Sequence, residues 1–201
     1  LASSAASDVY KRQAPYYIGN SITMLLSLGF LLLLITELFL NPLLVLFGSP
    51  ADVLPLAEQY VRVTAVGFPF LILTIGSGHL IRADGNPKMA MFVTVSGAVI
   101  NIVLDALFVF GFQWGMYGAA WATVIGQIIS AAIAIRYLMH YRTVTLEKQH
   151  FIPSGKVLAQ ICSIGMSSGI NQIAMMIVQI VMNNLLKHYG AQSVYGCLLY
   201  T

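Results

Sequence analysis

The chain has 201 residues, of which 58% are hydrophobic and only 8% charged. A soluble domain carries about 25% charged residues, so too few polar groups remain to clothe a globule in water, and the composition is that of an integral membrane protein. A formal net charge of +3 supplies no basic stripe for a nucleic-acid partner, and two cysteines, Cys162 and Cys197, lack the number and spacing of a disulfide framework or a zinc site.

The ends stand apart from the rest. Asp8–Gln13 reads DVYKRQ, which GAT GTG TAT AAG AGA CAG encodes, and Cys197–Thr201 reads CLLYT, which TGT CTC TTA TAC ACA encodes. The second string lies within the reverse complement of the first. Both ends therefore resemble one inverted DNA repeat, the mosaic end that a transposase leaves in sequencing libraries. Residues 1–13 and 197–201 are expected to be non-native adaptor translations and are set aside from fold reasoning.

Between them, charge-free length is the ruler, because a membrane helix needs about 20 apolar residues. Residues 17–46, 57–82, 88–111, 117–140 and 157–187 are the predicted spans of an all-α polytopic bundle. The connection Arg82–Lys88 holds two basic residues and Arg136–Lys156 holds four, whereas 111–118 holds no charge. Basic and non-basic connections alternate, so 82–88 and 136–156 are predicted to be cytoplasmic. Residues 141–156, which include Pro153-Ser154-Gly155, form the candidate boundary between a bundle over 14–140 and a second one opening at 157–196.

In chain order, Glu37 falls near the outer end of the first span, at the interface. The second span contains Gly67-Phe68-Pro69-Phe70, a helix breaker inside the membrane. Pro69 is equally consistent with a hinge and with static packing. Asp84-Gly85-Asn86-Pro87 has the chemistry of a tight reversal. No G-x-x-x-x-G-K-[ST] phosphate cradle occurs, which leaves ATP-driven pumping without support.

Asp105 is the lone charge of the third span. An ionised carboxylate in hydrocarbon costs about 2.5–3.5 kcal/mol even on lenient insertion scales. It is expected to face the protein interior, to be neutralised by a proton or to hold a cation. Asn101, Gly97 and Thr94 continue the same helical face backwards. That face reads either as a structural hydrogen-bonding seam or as a proton or cation site. The fourth span repeats a small residue at every fourth position, Gly118, Ala122, Gly126, Ser130 and Ala134, a stripe that lets helix backbones approach closely. Thr123 and Gln127 run beside it, and Thr123 reaches Asp105 if this seam packs on the third span. In the last span Asn171, Gln172, Gln179, Asn183 and Asn184 either line a cavity or bridge helices. The four histidines form no ligand cluster.

Tyr60-Val-Arg-Val, Gly67-Phe-Pro-Phe, Arg82-Ala-Asp-Gly-Asn-Pro-Lys, Asn101-Ile-Val-Leu-Asp105 and Gly115-Met-Tyr-Gly-Ala-Ala-Trp-Ala-Thr123 follow one another in order. This series resembles the multidrug and toxic compound extrusion (MATE) transporters over almost all of 14–196. The resemblance implies a fragment, helices three to seven of a twelve-helix, two-lobe protein, with 141–156 as the cytoplasmic inter-lobe loop. It also implies a cation-coupling site at Asn101, Asp105 and Thr123, whose fourth member would lie on a missing first helix. The carboxylate that some branches use for sodium on the seventh helix has no counterpart here.

The expected function is therefore secondary antiport, with organic and often cationic compounds exported in exchange for protons or sodium. The expected setting is the inner (plasma) membrane, as a monomer when full length, with no cofactor beyond the coupling ion and no enzymatic role. Gln127, Asn171 and Gln172 are candidate cavity-lining residues. A flippase for lipid-linked sugars would need a cavity rich in Arg or Lys, to which only Arg62 approaches, and a passive membrane anchor would not need Asp105.

Overall fold

The computed structural model describes residues 2–50, 52–140 and 148–187, and every regular element among them is helical. The linker segment 141–147 and the terminal adaptor-like string 197–201 lie outside the described residues. Helix α1 runs from Ala2 to Leu38 and includes the backbone of 2–13. The first predicted span ran on to residue 46, but α1 stops at Leu38 and a short α2, Leu40–Leu46, follows. Pro42 accounts for the break, because in a continuous helix its ring would meet the carbonyl of Leu38, four residues earlier. Gly48, at φ +85°, then caps α2: its amide donates to the Val45 carbonyl at 3.0 Å, and the Ser49 amide to Leu44 at 3.0 Å.

The second span is also broken. Helices α3 (Leu54–Ala65) and α4 (Phe68–Ala83) meet at a 60° bend. Pro69 lies in the first turn of α4, where its missing N–H would have had no helical partner anyway. The proline thus starts a helix rather than kinking one, and Gly67 carries the corner. Its amide donates to Thr64 at 2.9 Å, and its carbonyl accepts from Leu71 at 2.9 Å.

The expected reversal follows α4. Gly85 adopts φ +79°, the Asn86 side chain accepts the Met89 amide at 3.2 Å, and Pro87 opens α5 (Pro87–Asp105). The Tyr137 hydroxyl donates to Asp84 Oδ2 at 2.7 Å and pins this turn to α6. At its other end α5 passes into a π-helical turn, Ala106–Gly111, before α6 (Gly115–Met139) returns.

The small-residue stripe of α6 is buried along its whole length and packs on α5. A Cβ on Gly126 would come within 3.0 Å of the Gly97 carbonyl oxygen, and one on Gly97 would overlap Ser130 Oγ. Ser130 in turn donates to the Val93 carbonyl at 3.1 Å. The opposite side of α6 exposes Trp114, Trp121, Ile128 and Ile135 at intervals of seven. Inside, Ile18 and Ile22 of α1 meet Leu73 and Ile81 of α4, Val93 of α5 and Leu138 of α6. Helix α7, Gly155–Lys187, completes the described chain. Among the described residues three helices are long and apolar enough to cross a membrane alone, and α3–α4 and the bent α7, each counted as one span, bring the number to five.

The end of the linker is strapped to α1. Asn20 is fully buried, and its amide donates to the His150 carbonyl at 3.2 Å and to Tyr16 at 2.9 Å. Its oxygen accepts the Ser154 amide at 2.7 Å. Thr23 donates to the Phe151 carbonyl at 3.0 Å, and the Tyr16 and His150 rings meet edge-on at 4.6 Å.

Candidate functional site

The π-helical turn begins immediately after Asp105. Such turns shift helical phase and recur at functional positions. Asp105 is half-buried as a residue, but its Oδ1 is shut off from solvent and has no hydrogen-bond partner. A buried, unpaired acceptor forfeits about 1–3 kcal/mol of solvation, more when charged, so this oxygen calls for a proton or a cation.

One turn back, Asn101 Nδ2 donates to Thr123 Oγ1 across the α5–α6 seam at 3.4 Å. Thr123 gives its own proton to the Ala119 carbonyl at 3.0 Å. With that proton committed, the Tyr60 hydroxyl of α3, 3.5 Å away, is the donor of its contact with Thr123. One donor and two lone pairs are all that a threonine hydroxyl offers, so Thr123 is saturated. The seam packs as expected, but Thr123 meets Asn101 rather than Asp105. Tyr60 joins the group from a helix that the sequence reading left without a site residue. Its place at the head of the Tyr60-Val-Arg-Val motif was the only signal for it.

Asn101, Thr123 and Gln127 line a cavity of about 330 Å³ between α4, α5 and α6, with Thr74, Thr94 and Ser130 as further polar wall. Gln127 Oε1 is buried without a partner and fills the space that a side chain on Gly67 would need. Gln127 therefore connects the cavity wall to the α3–α4 corner. His79 and Arg82 of α4 also line it. Arg62 does not; it is exposed and pairs with Glu58 at 2.8 Å. Asn171 and Gln172 stand exposed on α7, away from this cavity. Asn183 and Asn184, by contrast, donate to the carbonyls of Phe47 and Leu46 at 3.4 and 3.0 Å and tie α7 to the end of α2.

The MatE family model matches residues 10–107. The multidrug export protein MepA of Staphylococcus aureus (strain NCTC 8325) is 30% identical over 166 residues, 82% of this chain and 37% of that protein. The probable multidrug resistance protein YoeA of Bacillus subtilis (strain 168) is 28% identical over 189 residues, 89% of this chain and 41% of that protein. A crystal structure of a MATE transporter in its bent conformation superposes with a TM-score of 0.80 at 25% identity, over 92% of this chain and 42% of that one. The chain thus spans about two fifths of the length of these relatives. With its membrane-length helices in the same arrangement, it belongs to the multidrug and toxic compound extrusion family.

Proposed function

We propose that the protein carrying this segment is a secondary antiporter that exports organic, often cationic, compounds in exchange for protons or sodium. The observation that carries the proposal is the sequestered, unpartnered Oδ1 of Asp105 beside the Asn101–Thr123–Tyr60 group. A carboxylate oxygen, an amide and a hydroxyl are hard oxygen donors, and they suit a proton or a small hard cation. Asp105, Asn101 and Thr123 would hold such an ion, which would supply the charge that neutralises Asp105.

The residues divide the work. Asp105 carries the titratable or cation-binding charge. Asn101 turns its amide nitrogen to Thr123, which leaves its amide oxygen for an ion. Thr123, already saturated, can engage a newcomer only by releasing Asn101 or Tyr60, both held at the long limit of a hydrogen bond. Loading the site would thereby loosen α3 or α5 from α6, and a lobe with two packings responds to such differential contacts. Pro69 and Gly67, at the α3–α4 corner beside the cavity, are the proposed hinge. The same reading puts 82–88 and 136–156 on the cytoplasmic side of the inner (plasma) membrane and assigns no enzymatic step.

The test is gradient-driven efflux by the full-length transporter reconstituted in vesicles. Asp105→Asn should abolish coupled efflux while substrate still binds. Undiminished coupled efflux by that variant would remove Asp105 from the mechanism.

A further inference from the structure

Three rings meet where the chain turns from α5 into α6. Phe108 and Trp114 have centroids 5.2 Å apart, Phe112 and Trp114 5.5 Å, and Phe108 and Phe112 6.0 Å, with interplanar angles of 30–34°. The backbone builds this cluster. The Phe112 amide donates to Leu107 at 3.0 Å, the Trp114 amide donates to Phe108 at 3.0 Å, and Gln113 turns the chain at φ +56°. Gly118 admits Phe108 beneath α6, since a Cβ there would come within 3.0 Å of Phe108 Cβ.

The cluster is well ordered by its own contacts yet not covered. Phe112 is 56% exposed and Trp114 53%, with Phe108 half-buried beneath them and Phe110, outside the cluster, 81% exposed. No charged side chain occurs from Ala106 to Ile135. The exposed rings continue into the apolar stripe of Trp121, Ile128 and Ile135 on α6, and Ile102, Val103 and Leu107 of α5 are exposed as well. Each span that meets at this turn is 25 residues long, roughly 37 Å of helix against about 30 Å of hydrocarbon. At the far ends of the same two spans stand Lys88 and Arg136, with Arg82 in the last turn of α4. One edge of the hairpin is thus marked by cations and the other by rings.

We infer that the Phe108–Phe112–Trp114 cluster, with Tyr117, is an interfacial anchor that sits in the glycerol and headgroup layer of a phospholipid bilayer and holds the α5–α6 hairpin at fixed depth. Tryptophan and tyrosine suit that layer because an apolar ring faces the acyl chains while the N–H or O–H reaches water or ester groups. The continuity of the rings with an uncharged, outward-facing stripe favours lipid over a protein partner. The mutual ring contacts hold the three side chains together, and the π-helical turn connects the cluster to Asp105.

The chain has two tryptophans, Trp114 and Trp121, so tryptophan fluorescence reads this surface directly. The chain is reconstituted in phosphatidylcholine vesicles whose acyl chains carry bromine either near the headgroup or near the chain terminus. With Trp121→Phe, the remaining Trp114 should be quenched at least twofold more by the shallow bromines. With Trp114→Phe, the remaining Trp121, about 10 Å further along α6, should show the opposite preference. If either variant does not fold, the unsubstituted chain still decides, because it must respond to shallow bromines as well as deep ones. Trp114 emission that ignores both lipids overturns the anchor, whether aqueous iodide reaches the ring or nothing does. So does an unsubstituted chain that is blind to the shallow label.

Discussion

A threonine hydroxyl with three partners is a junction rather than a simple bond. Thr123 links its own helix to α5 through Asn101 and to α3 through Tyr60, so its removal leaves an amide and a phenol without an acceptor. Thr123→Val keeps the shape and deletes the hydroxyl. It should cost about 1–3 kcal/mol, seen as a lower thermal midpoint in detergent, whereas Thr123→Ser should recover most of the loss. Glycine acts through space rather than conformation at the neighbouring contact. Gly97→Ala pushes on Ser130 Oγ, which can rotate away at the expense of its bond to Val93. Gly126→Ala pushes on the backbone carbonyl of Gly97, which cannot. Both should destabilise by about 1–3 kcal/mol. Adding Ser130→Ala should recover only the Oγ part of the first, since a Cβ on Gly97 still lies 3.1 Å from the Gly126 carbonyl oxygen, and should leave the second unchanged, as a double-mutant cycle on melting would report.

At the scale of elements, the corner between α3 and α4 separates two roles that one motif suggested together. Pro69 begins α4 at a position that any residue with an unused N–H tolerates, so Pro69→Ala should keep the bend and lose only the packing of its fully buried ring, about 1–2 kcal/mol of melting free energy. A much larger loss would show that the ring itself holds the bend. Sequence pattern made some of this architecture legible and left some of it silent. The α6 seam was readable because small residues recur every four positions, and the 84–87 turn because Asp-Gly and Asn-Pro each constrain the backbone locally. The break at Leu38 was missed because Pro42 acts backwards on a carbonyl four residues away. The π-helical turn was missed because Ala106–Gly111 is as apolar as the helix before it. In the site, Asn101 and Asp105 could be paired by helical spacing alone. Tyr60 could not, because it reaches Thr123 across 63 residues of chain.

For the whole molecule, contacts of long sequence separation hold the linker. Asn20 satisfies the Ser154 amide and the His150 carbonyl across more than 100 positions, and no local pattern announces such a pairing. Asn20→Ala should remove one partner from each group. Hydrogen exchange at 150–154 is expected to rise at least tenfold, while exchange within the α5–α6 seam stays unchanged. Equal exchange in both proteins would mean that the strap is held by Thr23 and the Tyr16–His150 ring contact alone. The described end of the connection, 148–154, is thus cargo of α1. The Ser154 carbonyl accepts the Leu158 amide at 2.9 Å in the first turn of α7, so that helix sets out from a fixed mooring on α1 rather than from a slack tether.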